Sequence, residues 1–219
     1  MICKQVDPLL RVTFTVEDGE FVSKNTAIGK IKGPIQSILK SERLLLNCMQ
    51  RMSAIATKTN YFANLIAPYN VKILDTRKTT PNFRVCEKWA VKIGGGVNHR
   101  FGLYDQILIK DNHIKASGTI KNAVESCEKY LQENKLQIPV IVEVKDLEEF
   151  NSIKEYEIVD QILVDNFKPE AIIELIKHNT TNKIIEASGG INGSNIVEYA
   201  KTGINYVSLG DLTHHVNSI

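Results

Sequence analysis

The chain has little with which to cross a membrane, cross-link itself or grip nucleic acid. None of its apolar runs approaches the roughly 18 residues that a bilayer-spanning helix needs, and it has no basic-then-apolar leader pattern. Cysteine is sparse: Cys3, Cys48, Cys86 and Cys127 lie far apart and form no C-x-x-C pair. That argues against a disulfide scaffold or a zinc ribbon and predicts reduced thiols in a cytoplasmic protein. Charge of one sign is also scarce, because 27 Lys and Arg face 25 Asp and Glu, a net of +2. The basic residues are distributed rather than massed, so no nucleic-acid surface is expected and any functional positive charge must be local. Internal repeats, low-complexity stretches and a G-x-G-x-x-G dinucleotide fingerprint are all missing. What remains is an ordinary globular composition, 43% hydrophobic and 24% charged. The length suits one barrel-sized domain, or a small domain plus a barrel.

Two regions follow from the periodicities. Val12, Phe14 and Val16 alternate with Thr13 and Thr15, Asp18-Gly19 supplies a turn, and Ala27–Ile31 reads as the partner strand before Gly33-Pro34. From Ile38 to Ile66 apolar residues recur at near-helical spacing between Pro34 and Pro68, predicting one long helix or two stacked ones. Residues 1–68 therefore read as a partial α+β N-terminal domain. From residue 69 to 219 strands alternate with helices. Strands are predicted at Val71–Leu74, Gln106–Ile109, Val140–Val144, Ile162–Val164, Lys183–Ile185 and Tyr206–Leu209. Helices are predicted at Phe83–Ile93, Thr119–Leu131, Leu147–Glu155, Pro169–His178 and Ser194–Lys201. Six such units predict an α/β fold, an incomplete (open) α/β barrel rather than a full eight-stranded one.

Polar chemistry gathers at the carboxyl ends of these strands, where α/β folds place their sites. Asp75-Thr76-Arg77-Lys78-Thr79-Thr80-Pro81 offers a bidentate guanidinium, a point-charge ammonium and hydroxyls, among them Thr76, to phosphate or carboxylate oxygens. A solvated turn would look the same. Gly94-Gly95-Gly96-Val97-Asn98-His99-Arg100 reads as a flexible loop that delivers His99 and Arg100 to an anion, or as a plain connector. Lys110 follows an apolar strand, and burial there would require a ligand or an acidic neighbour. Glu143 and Asp165 are carboxylates in strands that otherwise read as buried. Such a pair can hold magnesium through water, face developing positive charge, or form structural ion pairs with Lys or Arg. Ser188-Gly189-Gly190 ahead of a helix, and Gly210 with His214 one strand later, suit a phosphate.

In order and spacing these segments resemble the quinolinate phosphoribosyltransferase family. The resemblance rests on Glu42-Arg43 to Asn47, Ser53 to Thr57, Asp75 to Pro81, Gly94 to Arg100, Leu108 to His113, Glu143, Val164 to Phe167, Glu186 to Ile191 and Leu209 to His214. It implies a two-domain subunit in a homodimer. The implied reaction joins quinolinate to phosphoribosyl pyrophosphate with Mg2+ as cofactor, releasing nicotinate mononucleotide, pyrophosphate and carbon dioxide. It also implies roles: Arg77, His99, Arg100 and Lys110 on the quinolinate carboxylates, and Lys78 on substrate phosphate or carboxylate. Arg43 would reach the partner's site. Glu143 and Asp165 would face the ribose and the magnesium–pyrophosphate end, with Ser188, Gly189, Gly210 and His214 on the 5′-phosphate. Lys78, Lys110, Glu143 and Asp165 are the catalytic candidates.

Against the family pattern the chain reads as shortened at both ends. Ala54, Asn82 and Ile141 stand at positions where the pattern has glycine, glycine and an acidic residue, and Asp211 adds a charge beside Gly210. Three rivals stay open. One is the molybdate-transport-associated pyrophosphorylase-like paralogue, against which His99-Arg100 and Lys110 to His113 argue. Another is nicotinate phosphoribosyltransferase, whose monocarboxylate needs fewer cations. The last is a non-catalytic truncated remnant.

Overall fold

A computed structural model describes residues 2–217. After a short helix α1 (Ile2–Val6), strands β1 (Arg11–Phe14) and β2 (Gly29–Lys32) pair antiparallel with Val12 opposite Ile31. The periodic region then forms a single 32-residue helix, α2 (Ile35–Ile66), rather than two. Pro34, extended at ψ 131°, sets its start. A 3-10 turn over Ala67–Tyr69 and Asn70 in the left-handed region end it. Ile55, Thr59, Phe62 and Ile66 recur about once per turn and are buried against the rest of the chain. In the first half of the same helix Ile35, Leu39, Leu44 and Leu46 are exposed.

The remaining elements alternate: β3 (Lys72–Leu74), α3 (Arg84–Ile93), β4 (Ile107–Ile109), α4 (Asp111–Ser117), α5 (Ile120–Asn134), β5 (Val140–Val144) and α6 (Leu147–Ile153). Then come β6 (Gln161–Asp165), α7 (Pro169–Lys177), β7 (Ile184–Ser188), α8 (Ile196–Ala200), β8 (Tyr206–Ser208) and α9 (Asp211–His214). The six strands β3 to β8 make one parallel sheet in the order β3-β8-β7-β6-β5-β4. From β4 to β8 neighbours in the chain are therefore neighbours in the sheet, and β3 pairs with β8, leaving a seam between β3 and β4. This is the open α/β barrel expected. Val97 caps the β3 side of the seam: its N–H donates to the Ile73 carbonyl at 2.7 Å, and its carbonyl accepts from the Asp75 N–H at 3.2 Å.

Register sorts the side chains into two faces. Ile73, Ile109, Val142, Ile162, Val164, Ile185, Ala187 and Val207 join the helices in one large core. The opposite face lines the barrel interior and is only half apolar: Leu108, Ile141 and Leu163 form a separate small cluster. Beside them Gln161, Glu186 and Ser208 are buried polar groups.

Strand β7 runs three residues past the predicted end at Ile185. Glu186 does not break it, because its carboxylate is satisfied inside the barrel by the Gln161 amide and the Ser208 hydroxyl. Helices α4 and α9 were not expected. Both are short and carry no apolar stripe long enough to announce a helix. The α4 turn is set by a cap in which the Lys110 N–H donates to His113 Nδ1 at 2.9 Å.

Candidate functional site

Three groups of side chains come together at the carboxyl ends of the strands. Cations gather at the seam. Asp75 and Lys88, both fully buried, form an ion pair at 2.5 Å, and each holds the backbone of the next loop. Lys88 donates to the His99 carbonyl at 2.8 Å, and Asp75 accepts from the His99 N–H at 2.8 Å. The glycine-rich segment is therefore a held loop rather than a flexible one. At its start, a Cβ on Gly94 would sit 2.3 Å from the Ala56 carbonyl of α2, so only glycine lets the loop pack there. Asp105 ties down the following residues by accepting from the N–H groups of Phe101 and Gly102, and its carboxyl is held below its usual value. Arg100 projects from this frame. Burial, and then the nearby Arg77, push its guanidinium pKa down. Two guanidiniums close enough to repel, one of them half-buried, concentrate positive charge at this point of the rim.

The His99 ring turns inward. Its Nδ1 accepts from the Arg100 N–H at 2.7 Å, so Nε2 carries the proton, and Nε2 lies 3.5 Å from the buried Glu186 carboxylate. Arg84 braces the opposite loop by donating to the Thr79 hydroxyl, the Phe101 carbonyl and the Arg77 carbonyl. Thr76 caps its own turn, its hydroxyl accepting from the Lys78 N–H. Arg77 and Lys78 are left exposed.

Next to the cations stand the carboxylates. Lys110 Nζ lies 3.4 Å from Glu143, with Lys110 about half exposed and Glu143 mostly covered. Burial raises the Glu143 pKa, Lys110 opposes that, and Asp165 on the neighbouring strand raises it further. Glu143 and Asp165 thus feel one another on the interior face, and Lys110 is paired with Glu143. Asn166 donates from its amide to Asp165 at 2.7 Å and from its backbone N–H to the Ser188 carbonyl at 2.8 Å.

The third group lies past the end of β7 and at the joint of β3 and β8. Gly189 (φ +90°) takes a conformation L side chains avoid, and a Cβ there would meet Asn166 Oδ1 at 2.3 Å and its backbone nitrogen at 2.7 Å. Gly190 (φ +63°) follows with open space in front of it. This is a backbone nest of the kind that takes an anion. One strand on, a Cβ on Gly210 would meet His214 Nε2 at 2.8 Å and Lys78 Cδ at 3.2 Å, so Lys78 and His214 both lean over Gly210. Burial, His215 and Lys78 lower the His214 pKa. Long helix α2 supports the corner from behind. Arg51 binds the buried Glu87 at 2.6 Å and donates to the Thr213 carbonyl at 2.7 Å, while Lys58 donates to the Asp211 and His215 carbonyls.

Of the residues expected from the sequence, the structure groups Arg77 with Arg100, Lys110 with Glu143 and Asp165, and Lys78 with Gly210 and His214. Arg43 stands apart, exposed in the first half of α2. The supporting residues Arg51, Lys58, Lys88 and Glu186 were not anticipated. Lys88 could have been: it lies three residues before Val91 in α3, so helical spacing puts it on the buried face.

Comparison with known proteins places this geometry. The family model for the quinolinate phosphoribosyl transferase C-terminal domain matches residues 55–219, and that for the N-terminal domain matches residues 2–53. A mitochondrial quinolinate phosphoribosyltransferase [decarboxylating] of Nicotiana glauca is 41% identical over 100% of the chain. A chloroplastic nicotinate-nucleotide pyrophosphorylase [carboxylating] of Arabidopsis thaliana is 40% identical, also over 100% of the chain. The chain spans 66% of the length of each of these relatives. The solved nicotinate-nucleotide pyrophosphorylase of Francisella tularensis superposes with a TM-score of 0.93 at 39% identity, covering 100% of this chain and 76% of that one. The chain belongs to the quinolinate phosphoribosyl transferase family.

Proposed function

We propose that the chain transfers the phosphoribosyl group of phosphoribosyl pyrophosphate to quinolinate with loss of one carboxylate, producing nicotinate mononucleotide, pyrophosphate and carbon dioxide. The observation that supports this most is the order of charge along one rim. Arg77, Arg100 and Lys110 suit two adjacent carboxylates on a ring. Glu143 and Asp165 follow, and the nest of Gly189 with Lys78, Gly210 and His214 suits a phosphate. His99 contributes by holding Arg100 in position.

In this scheme the ring nitrogen attacks the anomeric carbon while the pyrophosphate departs, and Glu143 faces the positive charge that grows on the ribose. Covered by protein and paired with Lys110, which opposes the rise that burial causes in its pKa, it is placed to act before the reaction starts rather than by reorganising during it. The positively charged ring nitrogen then stabilises the electron pair left on the adjacent ring carbon as its carboxylate departs as carbon dioxide, and that carbon takes a proton from solvent. The donor set fits magnesium: two oxygen-only groups with one lysine for company are under-compensated, and this ion keeps waters and substrate phosphates in its shell. Glu143 and Asp165 would hold it, and when bound it would neutralise charge on the pyrophosphate.

We further propose a homodimer in which Arg43 serves the partner's site, supported by the exposed Ile35, Leu39, Leu44 and Leu46 on the same stretch of helix. A division into two domains near residue 68 and a reducing, cytoplasmic setting complete the proposal. The latter is supported by four free cysteines. Among the described residues no helix is long and apolar enough to cross a membrane.

Calorimetric titration tests the assignment. Lys110→Met should weaken quinolinate binding far more than phosphoribosyl pyrophosphate binding. Equal loss of both ligands would contradict it.

A further inference from the structure

Asp211 is a charge that the phosphoribosyl scheme does not use. It opens α9, His214 ends that helix, and His215 follows with non-helical backbone (φ −123°, ψ 65°), so the chain folds all three side chains to one side. One ligand atom from each lies within 4.8 Å of the others. Asp211 Oδ1 is 3.3 Å from His215 Nδ1, and the two imidazoles stand edge-to-face with ring centroids 4.3 Å apart.

The turn is also braced. Lys58 reaches from α2 to donate to the backbone carbonyls of Asp211 and His215, both at 2.9 Å, and its Nζ lies 2.6 Å from Asp211 Oδ2. The lysine therefore occupies one carboxylate oxygen and leaves the other facing the imidazoles. A carboxylate fixed by an outer hydrogen bond while its second oxygen faces the other ligands is the arrangement that supports a metal ligand.

We propose that Asp211, His214 and His215 form a second metal site, distinct from the Glu143–Asp165 pair and selective for a divalent transition ion such as Zn2+ or Co2+. Two imidazoles and one carboxylate match the ligand preference of such ions, whereas magnesium prefers oxygen and keeps its water. Three protein ligands on a surface turn leave at least one coordination position open to solvent. Because His214 also leans over Gly210 beside Lys78, an ion bound to its imidazole ties that ring to the metal and restricts it at the phosphate corner. Occupation of the site thus inhibits phosphoribosyl binding. This last step rests on the function proposed above; the site itself does not.

Co2+ titration of the whole chain without substrates, followed by visible absorption and equilibrium dialysis, tests the site. One ion per chain should bind, with His215→Ser and Asp211→Asn each weakening it by at least about tenfold. His178→Ala is the control, since His178 sits 3.4 Å from Glu174 and offers the nearest imitation of a two-ligand site. Undiminished affinity in both His215→Ser and Asp211→Asn would overturn the site, as would loss of the ion in His178→Ala. In the product assay Zn2+ should inhibit the native chain at least tenfold more strongly than His215→Ser. Equal inhibition of both would overturn the sharing of His214. A chain that binds Co2+ as expected yet makes no nicotinate mononucleotide would count against the proposed function and leave the metal site standing.

Discussion

Replacing Lys88 with methionine should cost more than any surface change to the rim. The Lys88 side chain is 2% exposed and that of Asp75 0%, and they meet at 2.5 Å. Burial raises the Asp75 pKa and lowers the Lys88 pKa, and their mutual attraction opposes both shifts. Methionine fills nearly the same space, so what is lost is charge rather than volume. Asp75 would keep the His99 N–H and, with the Asn98 amide turned to satisfy its neighbours, a second donor at 3.1 Å. It would lose its counter-ion. Breaking a buried pair from one side costs about 3–5 kcal/mol, a large part of the roughly 5–15 kcal/mol that holds a domain together. At about 2–4 °C per kcal/mol for a chain of this size, the melting temperature should drop by roughly 6–20 °C. Urea unfolding read by circular dichroism would measure it. The Lys88→Met, Asp75→Asn double variant should recover part of the loss, since no uncompensated carboxylate remains. A loss below about 1 kcal/mol for Lys88→Met, or a double variant that loses the full sum, would refute the reasoning.

Other outcomes follow from the rim. Glu143→Gln keeps the shape and removes the charge, so turnover should fall on the order of a hundredfold; near-normal turnover in a steady-state assay would exclude the role. Because burial raises the Glu143 pKa, the active ionised form should be lost on acidification at a pH above the usual carboxylate range. Lys110→Met removes the opposing charge and should move the acid limb of the single-turnover rate profile higher still; a limb that stays in place would speak against Glu143. Gly189→Ala forces a Cβ onto Asn166, and should weaken phosphoribosyl pyrophosphate by at least about tenfold for every 1.4 kcal/mol of strain while sparing quinolinate; calorimetry on both ligands decides. Mixing Arg43→Ala with Lys110→Ala protein should restore some activity through hybrid dimers, and none would appear if each site were built from one chain.

The barrel strands were legible because parallel strands covered on both faces read as near-continuous apolar runs; Val140–Val144 is identical in sequence expectation and structure. The same logic misjudged β7. Glu186 looks like a strand end until Gln161 and Ser208 are seen to satisfy it, and those partners come from other strands. Lys110 stood out because it follows the apolar strand β4 directly, and Arg77 because it comes three residues after β3. The supporting groups did not, since Arg51 and Lys58 reach the carbonyls of Thr213, Asp211 and His215, more than a hundred positions away, and carry no local pattern. His99 shows the limit from the other side. Sequence order put it beside Arg100, and only the fold shows that its ring also lies 3.5 Å from the buried Glu186 of another strand.

Ring order that follows chain order has a kinetic consequence. Pairing β4 to β5, β5 to β6, β6 to β7 or β7 to β8 closes only a helix-length loop. Joining β3 to β8 must bring together the two ends of the whole barrel segment. Such a contact carries the largest entropic cost and forms late. The corner made by Lys78, Gly210 and His214 sits on that joint, so it exists only once the ring has rounded up. An anion bound there holds nothing but the finished barrel, and should slow unfolding without hastening folding.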